Sequence, residues 1–417
     1  MELLRVGWRN LRRNARRTVL NVVALAIGTA IIIIALAWVR GYFTSLYEGV
    51  INLDTGHAQI LPEGYLEEQR RLPLDLSVTD YESLRERLLR QDGVVAVAGR
   101  ISFSAQIGDG TRSTRMLARA IEPEREARLT VLPNHVVRGS YLAAGEEGVL
   151  LSEEMADRIG VDPGAPIYIT ATDQTGAENF TESVLVGTFS LGYPAIDENM
   201  FFVDLASAQR LLGMEGEVTR LVLKLDSGPT VDDVVASLRE RLPALKDASH
   251  GDLRLHGWRT FAEVIVSAVE ADIAGFSIIY GVLFLLVIIG ILNSMSMAVH
   301  ERQKEIGTLR AIGMRRGQLT WLFLAEGASI AAIGAAVGVL LAGIAGLYLG
   351  LVGFDLSVLA GTGLPVPFGD RFSADFRVWD FPLGAAVALA TAITGSVIPT
   401  RRASKLVIAD ALGSHLQ

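Results

Sequence analysis

The apolar residues of this chain are gathered into four runs, and that gathering constrains the fold more than any other feature. Val19 to Val39, Ile273 to Val299, Leu319 to Val352 and Phe381 to Ile398 approach or exceed the roughly 20 residues that cross the hydrocarbon of a bilayer. Half of the 417 residues are apolar, which is too greasy for an ordinary soluble enzyme. Between the first and second runs, residues 41–271 have the mixed composition of a water-soluble domain large enough to bury a core. The expected fold class is an α-helical membrane protein with four transmembrane helices. A large α+β extracytoplasmic domain is inserted between helices 1 and 2.

Orientation follows from the cations. Arg5, Arg9, Arg12, Arg13, Arg16 and Arg17 precede the first run, and Arg302, Lys304, Arg310, Arg315 and Arg316 separate the second from the third. Arg401, Arg402 and Lys405 follow the fourth. Alternating spans put all three groups on one side, which the Lys/Arg bias of short flanks makes cytoplasmic. Both termini are then cytoplasmic. The first run is too long for the apolar region of a signal peptide, and Trp38-Val39-Arg40 is a poor cleavage site, so it reads as a retained helix. With no cysteine, the outer domain holds together without disulfides. The net charge of −8 is segregated, cations at the membrane flanks and acids in the domain, which argues for membrane lipids as partners and against nucleic acid.

The expected layout is an interfacial amphipathic helix at 1–17, a span at 18–40, the outer domain at 41–271 with a helical stalk at each end, and a span at 272–299. A cytoplasmic charged helix follows at 300–317, then a span at 318–350, an outer loop at 351–379, a span at 380–399 and a tail at 400–417. Within the domain, Thr79 and Glu82 fit a capping box for a helix through Leu89. Gly108-Asp109-Gly110-Thr111 reads as a hairpin turn between strands Val94 to Ile107 and Ser113 to Ile121. Ser152 is placed to cap a helix with Glu153 and Glu154 in its first turn. Strands near Ile167 to Thr172, Glu182 to Phe189, Met200 to Val203 and Thr219 to Leu225 alternate with helices at Leu205 to Leu212 and from Thr230 to Leu242. That alternation covers one sheet face with helices.

Catalytic signatures are missing. The sequence has no Walker A loop, no G-x-S-x-G, no H-E-x-x-H and no cysteine metal spacing. His250 and His256 fit surface histidines better than a metal pair, so no metal and no cofactor is expected in the chain. Gly334/Gly338 and Gly346/Gly350 are small-xxx-small steps that let helices approach closely. Glu326 lies inside an apolar run and is read as an intramembrane ion pair with an arginine of the preceding island, ahead of proton coupling.

The island His300 to Gln318, HERQKEIGTLRAIGMRRGQ, is too ordered for a simple positive loop. Ile306, Leu309 and Ile312 form an apolar stripe, Glu301, Lys304 and Glu305 share helical faces, and Gly313 ends the helix. Such a helix suits a groove in a cytoplasmic partner.

Here the residues resemble a known family. E-R-Q-K-E-I-G-T-L-R-A-I-G-M-R-R, from Glu301 to Arg316, is similar to the coupling-helix segment of ABC permeases of the MacB/LolC/LolE/FtsX type. The close, Ile398-Pro-Thr-Arg-Arg-Ala-Ser-Lys-Leu-Val-Ile-Ala-Asp-Ala-Leu, resembles that family's ending, with Ile408 and Asp410 where Pro and Glu are usual. Gly7-Trp-Arg-Asn-Leu-Arg-Arg-Asn, Val149-Leu-Leu-Ser-Glu-Glu-Met-Ala and Val186-Gly-Thr-Phe-Ser-Leu-Gly-Tyr extend the likeness nearly end to end.

The resemblance implies a four-span mechanotransmission permease of the bacterial inner membrane, with its large domain in the periplasm. It implies two copies of a cytoplasmic ABC ATPase, which bind ATP and Mg, and a second permease, identical or paralogous. A periplasmic adaptor or chaperone is a further implied partner. Glu301, Arg302, Lys304, Glu305, Ile306, Gly307, Leu309, Arg310, Ile312 and Gly313 would contact the ATPase. Tyr47, Phe276 and Tyr280, near the outer leaflet, are candidates to face a lipid-bearing substrate. Tyr193 and Pro194 lie in a Gly/Pro loop that could grip a partner. Gly56-His57-Ala58-Gln59-Ile60, together with Gly192-Tyr-Pro-Ala-Ile-Asp-Glu-Asn199, leans toward the lipoprotein-releasing LolC/LolE branch, whereas Arg310-Ala-Ile-Gly leans toward the exporters. The expected function is extraction or export of a lipoprotein or other amphipathic substrate, with ATP hydrolysed by a separate subunit. The alternatives are a MacB-type drug or peptide exporter and an FtsX-type scaffold that activates a cell-wall hydrolase. A membrane enzyme built on Glu326 is the remaining reading.

Overall fold

A computed structural model describes residues 15–192, 197–226, 231–247, 250–301, 308, 311–352, 354–355, 371–372 and 374–404. It divides into two compact units, 45–267 with 356–370, and 1–44 with 268–355 and 371–417.

In the first of these, helix α1 (Ala15–Val50) finishes in a π-helical turn, Ile51–Thr55. The strands that follow are β1 (Ala58–Pro62), β2 (Val94–Gly108), β3 (Ser113–Ile121), β4 (Val136–Gly139), β5 (Gly148–Ser152), β6 (Pro166–Thr172), β7 (Glu178–Phe189), β8 (Met200–Asp204), β9 (Arg220–Leu225) and β10 (Leu253–Gly257). They pair in the order β10-β1-β9-β2-β3-β8-β5-β7-β4, and β6 joins β2 to β7. That extra pairing closes β2, β3, β8, β5, β7 and β6 into a ring. The length of β2 makes it possible, because residues 94–100 pair with β9 while residues 105–108, further along the same strand, pair with β6.

Alternation along the strands fills two cores. Val149, Leu151, Phe201 and Val203 point to the larger one, and Leu150, Phe202 and Met200 point the other way. Helices α2 (Tyr81–Leu89), α3 (Pro123–Leu129), α4 (Glu153–Ile159), α5 (Leu205–Leu212) and α6 (Val231–Leu245) pack around the sheet. Tyr81, Leu84 and Leu88 of α2 join the larger core, as do Met155 of α4, Leu212 of α5 and Leu238 of α6.

Local signals vary in how they are realised. Ser152 caps α4, accepting from the Met155 N–H at 3.2 Å, and Asp204 caps α5 through the Ser207 N–H at 3.2 Å. Thr79 does not cap α2. Asp80, at φ 47°, precedes the helix without a side-chain cap, and Glu82 turns instead to Arg85 and Arg125. Helix α6 runs past Leu242 to Leu245 with Pro243 inside it.

In the second unit lie the N-terminal part of α1, most of α7 (Glu263–Glu301), and α8 (Arg316–Val352) and α9 (Asp380–Ser404). Helices α1, α7 and α8 are each long and apolar enough to cross a membrane, whereas the apolar part of α9, Asp380–Gly395, is shorter. Helices α8 and α9 pack along one another. A two-residue antiparallel ladder pairs Phe354 with Phe372 and Asp355 with Arg371. The expected helix before residue 15, the segment 302–307, Leu309 and Arg310, the loop residues Tyr193 and Pro194, and the tail from residue 405 lie outside the described residues.

Candidate functional site

The two long helices that the sequence reads as stalks meet the sheet at one place. Gly56 follows the π turn at φ 62°, and its N–H reaches Ile51 O at 3.0 Å. A Cβ there would lie 2.5 Å from Val222 Cγ1 and 2.8 Å from Leu223 O, so this close approach needs glycine. His57 then bonds three ways. Its N–H reaches Leu223 O at 2.9 Å, its carbonyl accepts from Trp258 N–H at 3.0 Å, and its Nδ1 accepts from Leu225 N–H at 3.2 Å. Trp258 opens the short helix leading into α7, and its ring packs on Tyr47 of α1 at 4.9 Å. Val50, Trp258 and Ala262 are buried there, with Tyr47, Ile51, Ile265 and Val266 against them. The end of α1 and the beginning of α7 are thus one joint. Burial, then the nearby Lys224, pushes the His57 imidazole below its ordinary pKa.

Behind the joint is a buried charge cluster. Arg100 reaches Glu126 through Nε at 3.1 Å and through a second nitrogen, and it also donates to the Asp54 carbonyl. Arg119 pairs with the Asp54 carboxylate. Arg220 donates to Gln59 Oε1 at 3.3 Å and to the Tyr65 hydroxyl at 3.2 Å. Asp54 belongs to the π turn, so it fastens the end of α1 to two strands at once. The sequence offers no direct sign of this cluster, because Arg100 and Arg220 sit in runs that read as ordinary strands. The one clue is a charged residue inside an apolar strand at a position whose neighbours two residues away are apolar or small.

In the membrane-helix unit, Arg40 grips Asp380 through two bonds at 2.8 and 2.9 Å, and it also donates to the Asp375 carbonyl at 3.3 Å. Asp375 N–H returns a bond to Ala37 O at 3.0 Å. The start of α9 is thereby bound to α1. The glycines of α8 lie on such seams. A Cβ on Gly334 would stand 2.6 Å from Leu25 Cβ, and one on Gly338 would stand 2.6 Å from Ala26 O and Thr29 Cβ. Gly346 faces the Phe376 ring at 3.2 Å. At Gly350, near the end of α8, an added Cβ meets nothing within 4 Å among the described residues. Gly384 of α9, which no spacing rule flagged, is the tightest, 2.4 Å from Ile33 Cγ1.

Phe276 meets Phe43 edge-on at 6.2 Å, and the Tyr280 hydroxyl donates to Ala35 O at 3.0 Å. Both therefore sit on the α1 side of α7, whereas Tyr47 belongs to the joint. Trp38 and Tyr42 stack at 5.9 Å toward the same end of α1, as aromatic residues do at a membrane interface. Glu326 is buried, 6% exposed. In the charged island, the described residues show a helical bond from Ile312 N–H to Thr308 O at 3.1 Å and then Gly313 at φ 103°. Ile312 is 80% exposed. Gln318 Oε1 accepts from Arg315 N–H at 2.9 Å at the start of α8. Glu301 is the last residue of α7.

The two histidines considered for a metal differ in burial, and the expectation of a surface residue fails for His250. His250 is buried, accepting from Asp247 N–H at 2.9 Å and facing Asp80 O at 3.2 Å. His256 lies edge-on to Phe261. Among the described residues no group of three or more metal-ligating side chains is assembled.

Residues 18–241 match the MacB-like periplasmic core domain, and residues 277–408 match the FtsX-like permease C-terminal domain. The chain is 23% identical over 423 residues to the lipoprotein-releasing system transmembrane protein LolC of Neisseria meningitidis serogroup B, covering 98% of each. It is 22% identical to the corresponding LolE of Haemophilus influenzae, covering 98% of this chain and 99% of that one. A macrolide export ATP-binding/permease protein, MacB of Rhodopirellula baltica, is 24% identical across 96% of this chain but only 60% of its own length. With a MacB-like core domain over more than half its length and an FtsX-like permease domain after it, the chain belongs to the MacB/FtsX-like family of ABC transporter permeases.

Proposed function

We propose that this protein is the permease subunit of an ABC transporter that releases lipoproteins, or another lipid-bearing substrate, from the outer leaflet of the inner membrane. The observation that carries this reading is the full-length likeness to proteins named LolC and LolE, at 98% of both chains for the first. ATP would be hydrolysed, with Mg, by a separate ATPase subunit, in keeping with the lack of a Walker A loop in this sequence. Two such subunits would grip the coupling segment Glu301 to Gly313, and a second permease would complete the membrane part. Four spans, with α9 as the fourth and both termini cytoplasmic, fit the positive-inside pattern.

In this reading ATP-driven motion at the coupling segment passes along α7 and α1 to the joint at His57 and Trp258, and from there to the sheet. Phe276 and Tyr280 would line the path of the acyl chains. Reconstitution with its ATPase in proteoliposomes tests the proposal. Lipoprotein release with stimulated ATP hydrolysis is expected, and ATP hydrolysis without release of any lipidated substrate would overturn it. A second reading, export of a drug or peptide, is favoured by the match to a macrolide exporter across 96% of this chain. Vesicle uptake of a macrolide in place of lipoprotein release separates the two. Copurification of a cell-wall hydrolase would instead support a signalling scaffold.

A further inference from the structure

The charge cluster behind the joint does not balance. Arg220 on β9, Arg100 and Ser102 on β2, and Arg119 on β3 occupy neighbouring register positions, Arg220 opposite Arg100 and Ser102 opposite Arg119. The three arginines are 6%, 1% and 7% exposed. Among the described residues, the acids that meet them are Asp54 and Glu126. Three guanidinium groups against two carboxylates leave one positive charge buried. Arg220 is the one of the three with no carboxylate at ion-pair distance among the described residues: it donates to the neutral Gln59 and Tyr65, its guanidinium lies 5.3 Å from the centre of the Tyr65 ring, and Asp54 acts on it only from further off.

A buried cation without an anion is costly, and the same neighbourhood holds unused donors. Arg220 Nε, Ser102 Oγ and Tyr141 Oη are buried without a hydrogen-bond partner. Each carries a hydrogen. Ser102 is the diagonal neighbour of Arg220 across the β9–β2 ladder, within reach of one shared ion. Tyr141 is near enough to Glu126 and Arg100 to feel both charges. An excess of charge and a surplus of donors, in one place, both call for an acceptor of negative charge. The depth of the arginines limits it to a small one. The Asp54 side chain, 35% exposed, marks the way in.

We propose that one small monovalent anion of the chloride class completes this cluster, held by Arg220 Nε and Ser102 Oγ with Tyr141 at its flank. It neutralises the buried charge and ties β9 to β2 beside the turn that ends α1.

The test uses the purified full-length chain in detergent. Thermal unfolding is followed by tryptophan fluorescence at matched ionic strength in chloride, bromide or gluconate. A saturating rise in Tm with chloride and bromide, and none with gluconate, is the expected result. Arg220→Met should abolish the halide dependence. Should that variant fail to fold, Ser102→Ala keeps the fold and should shift the halide midpoint ~10-fold upward, the loss of one hydrogen bond to an ion. Bromide-soaked crystals should show anomalous density between Arg220 and Ser102. Equal Tm in chloride and gluconate overturns the site, as does water-like density there without an anomalous signal. A halide effect that persists in both variants also overturns it, because the ion then binds elsewhere.

Discussion

Arg40 and Asp380 show how much a single ion pair can carry in this protein. Asp380 has 4% of its side chain exposed and Arg40 28%, with two good bonds between them. Breaking one partner of such a pair strands the other, which costs about 3 kcal/mol, whereas replacing both with apolar residues can be close to neutral. Asp380→Asn should therefore lower the Tm of the full chain clearly, and Arg40→Met with Asp380→Leu should recover most of the loss. A double variant no more stable than the single would show that the pair does more than neutralise itself.

His57 gives a pH prediction. Its folded pKa lies below the ordinary value of 6.5, so the unfolded chain takes up the proton first. The stability it contributes is then complete above about pH 6.5 and declines as the pH falls below that value. An imidazolium cannot accept the Leu225 N–H, so protonation also breaks that bond to β9. His57→Asn keeps an acceptor near Nδ1 and should flatten part of the acid limb in a Tm-versus-pH series. His256, also depressed by burial and by Arg239, accounts for a further part. None of this was legible in the sequence, where His57 was one letter of a family-like pentapeptide. A side chain becomes an acceptor for a backbone N–H 168 residues away only once the sheet exists.

Elements were read best where a local signal and the tertiary need agree. Ser152 met both, with a free hydroxyl before an apolar run and a strand to fix its backbone. Thr79 failed because it was already paired, as Thr79 opposite Glu217 in a two-residue ladder, leaving Asp80 to turn the chain in the left-handed region. The helix seams divide in the same way. Gly334 and Gly338 were visible as a spacing, since both small residues lie on α8. Gly384 was not, because its counterpart is Ile33 on α1 rather than another small residue on its own helix. Gly384→Leu should overpack the α1–α9 seam and cost about 2 kcal/mol, read as a lower Tm in detergent. Gly350→Leu, at the open end of α8, should leave Tm unchanged.

At the scale of the whole molecule, the composition was enough to separate greasy helices from a water-soluble insert, because that division rests on bulk hydrophobicity. The closing of the ring by β6 was beyond it, since strand order depends on pairings between distant segments. The coupling segment gives the test at this scale. Ile312 is 80% exposed at the end of its turn, which under the proposed function leaves it free to enter an ATPase groove. Ile312→Glu should cut ATPase recruitment and lipoprotein release ~10-fold while leaving the Tm of the chain unchanged. Glu326→Gln with release intact would dispose of the membrane-enzyme reading.

The neighbours of β1 have a consequence for how the protein is made. Residues 58–62 are among the first of the domain to emerge from the membrane, yet they pair with β9 and with β10, whose partner for Ala58 is Gly257. Until Arg220–Leu225 has been exported β1 has neither flank to bond to, until Leu253–Gly257 follows it has only one, and closing so long a loop is slow. Biogenesis must therefore shelter an apolar strand for most of the time the domain takes to cross. A chain halted before β10 should be degraded in the cell, while one halted just after it should survive.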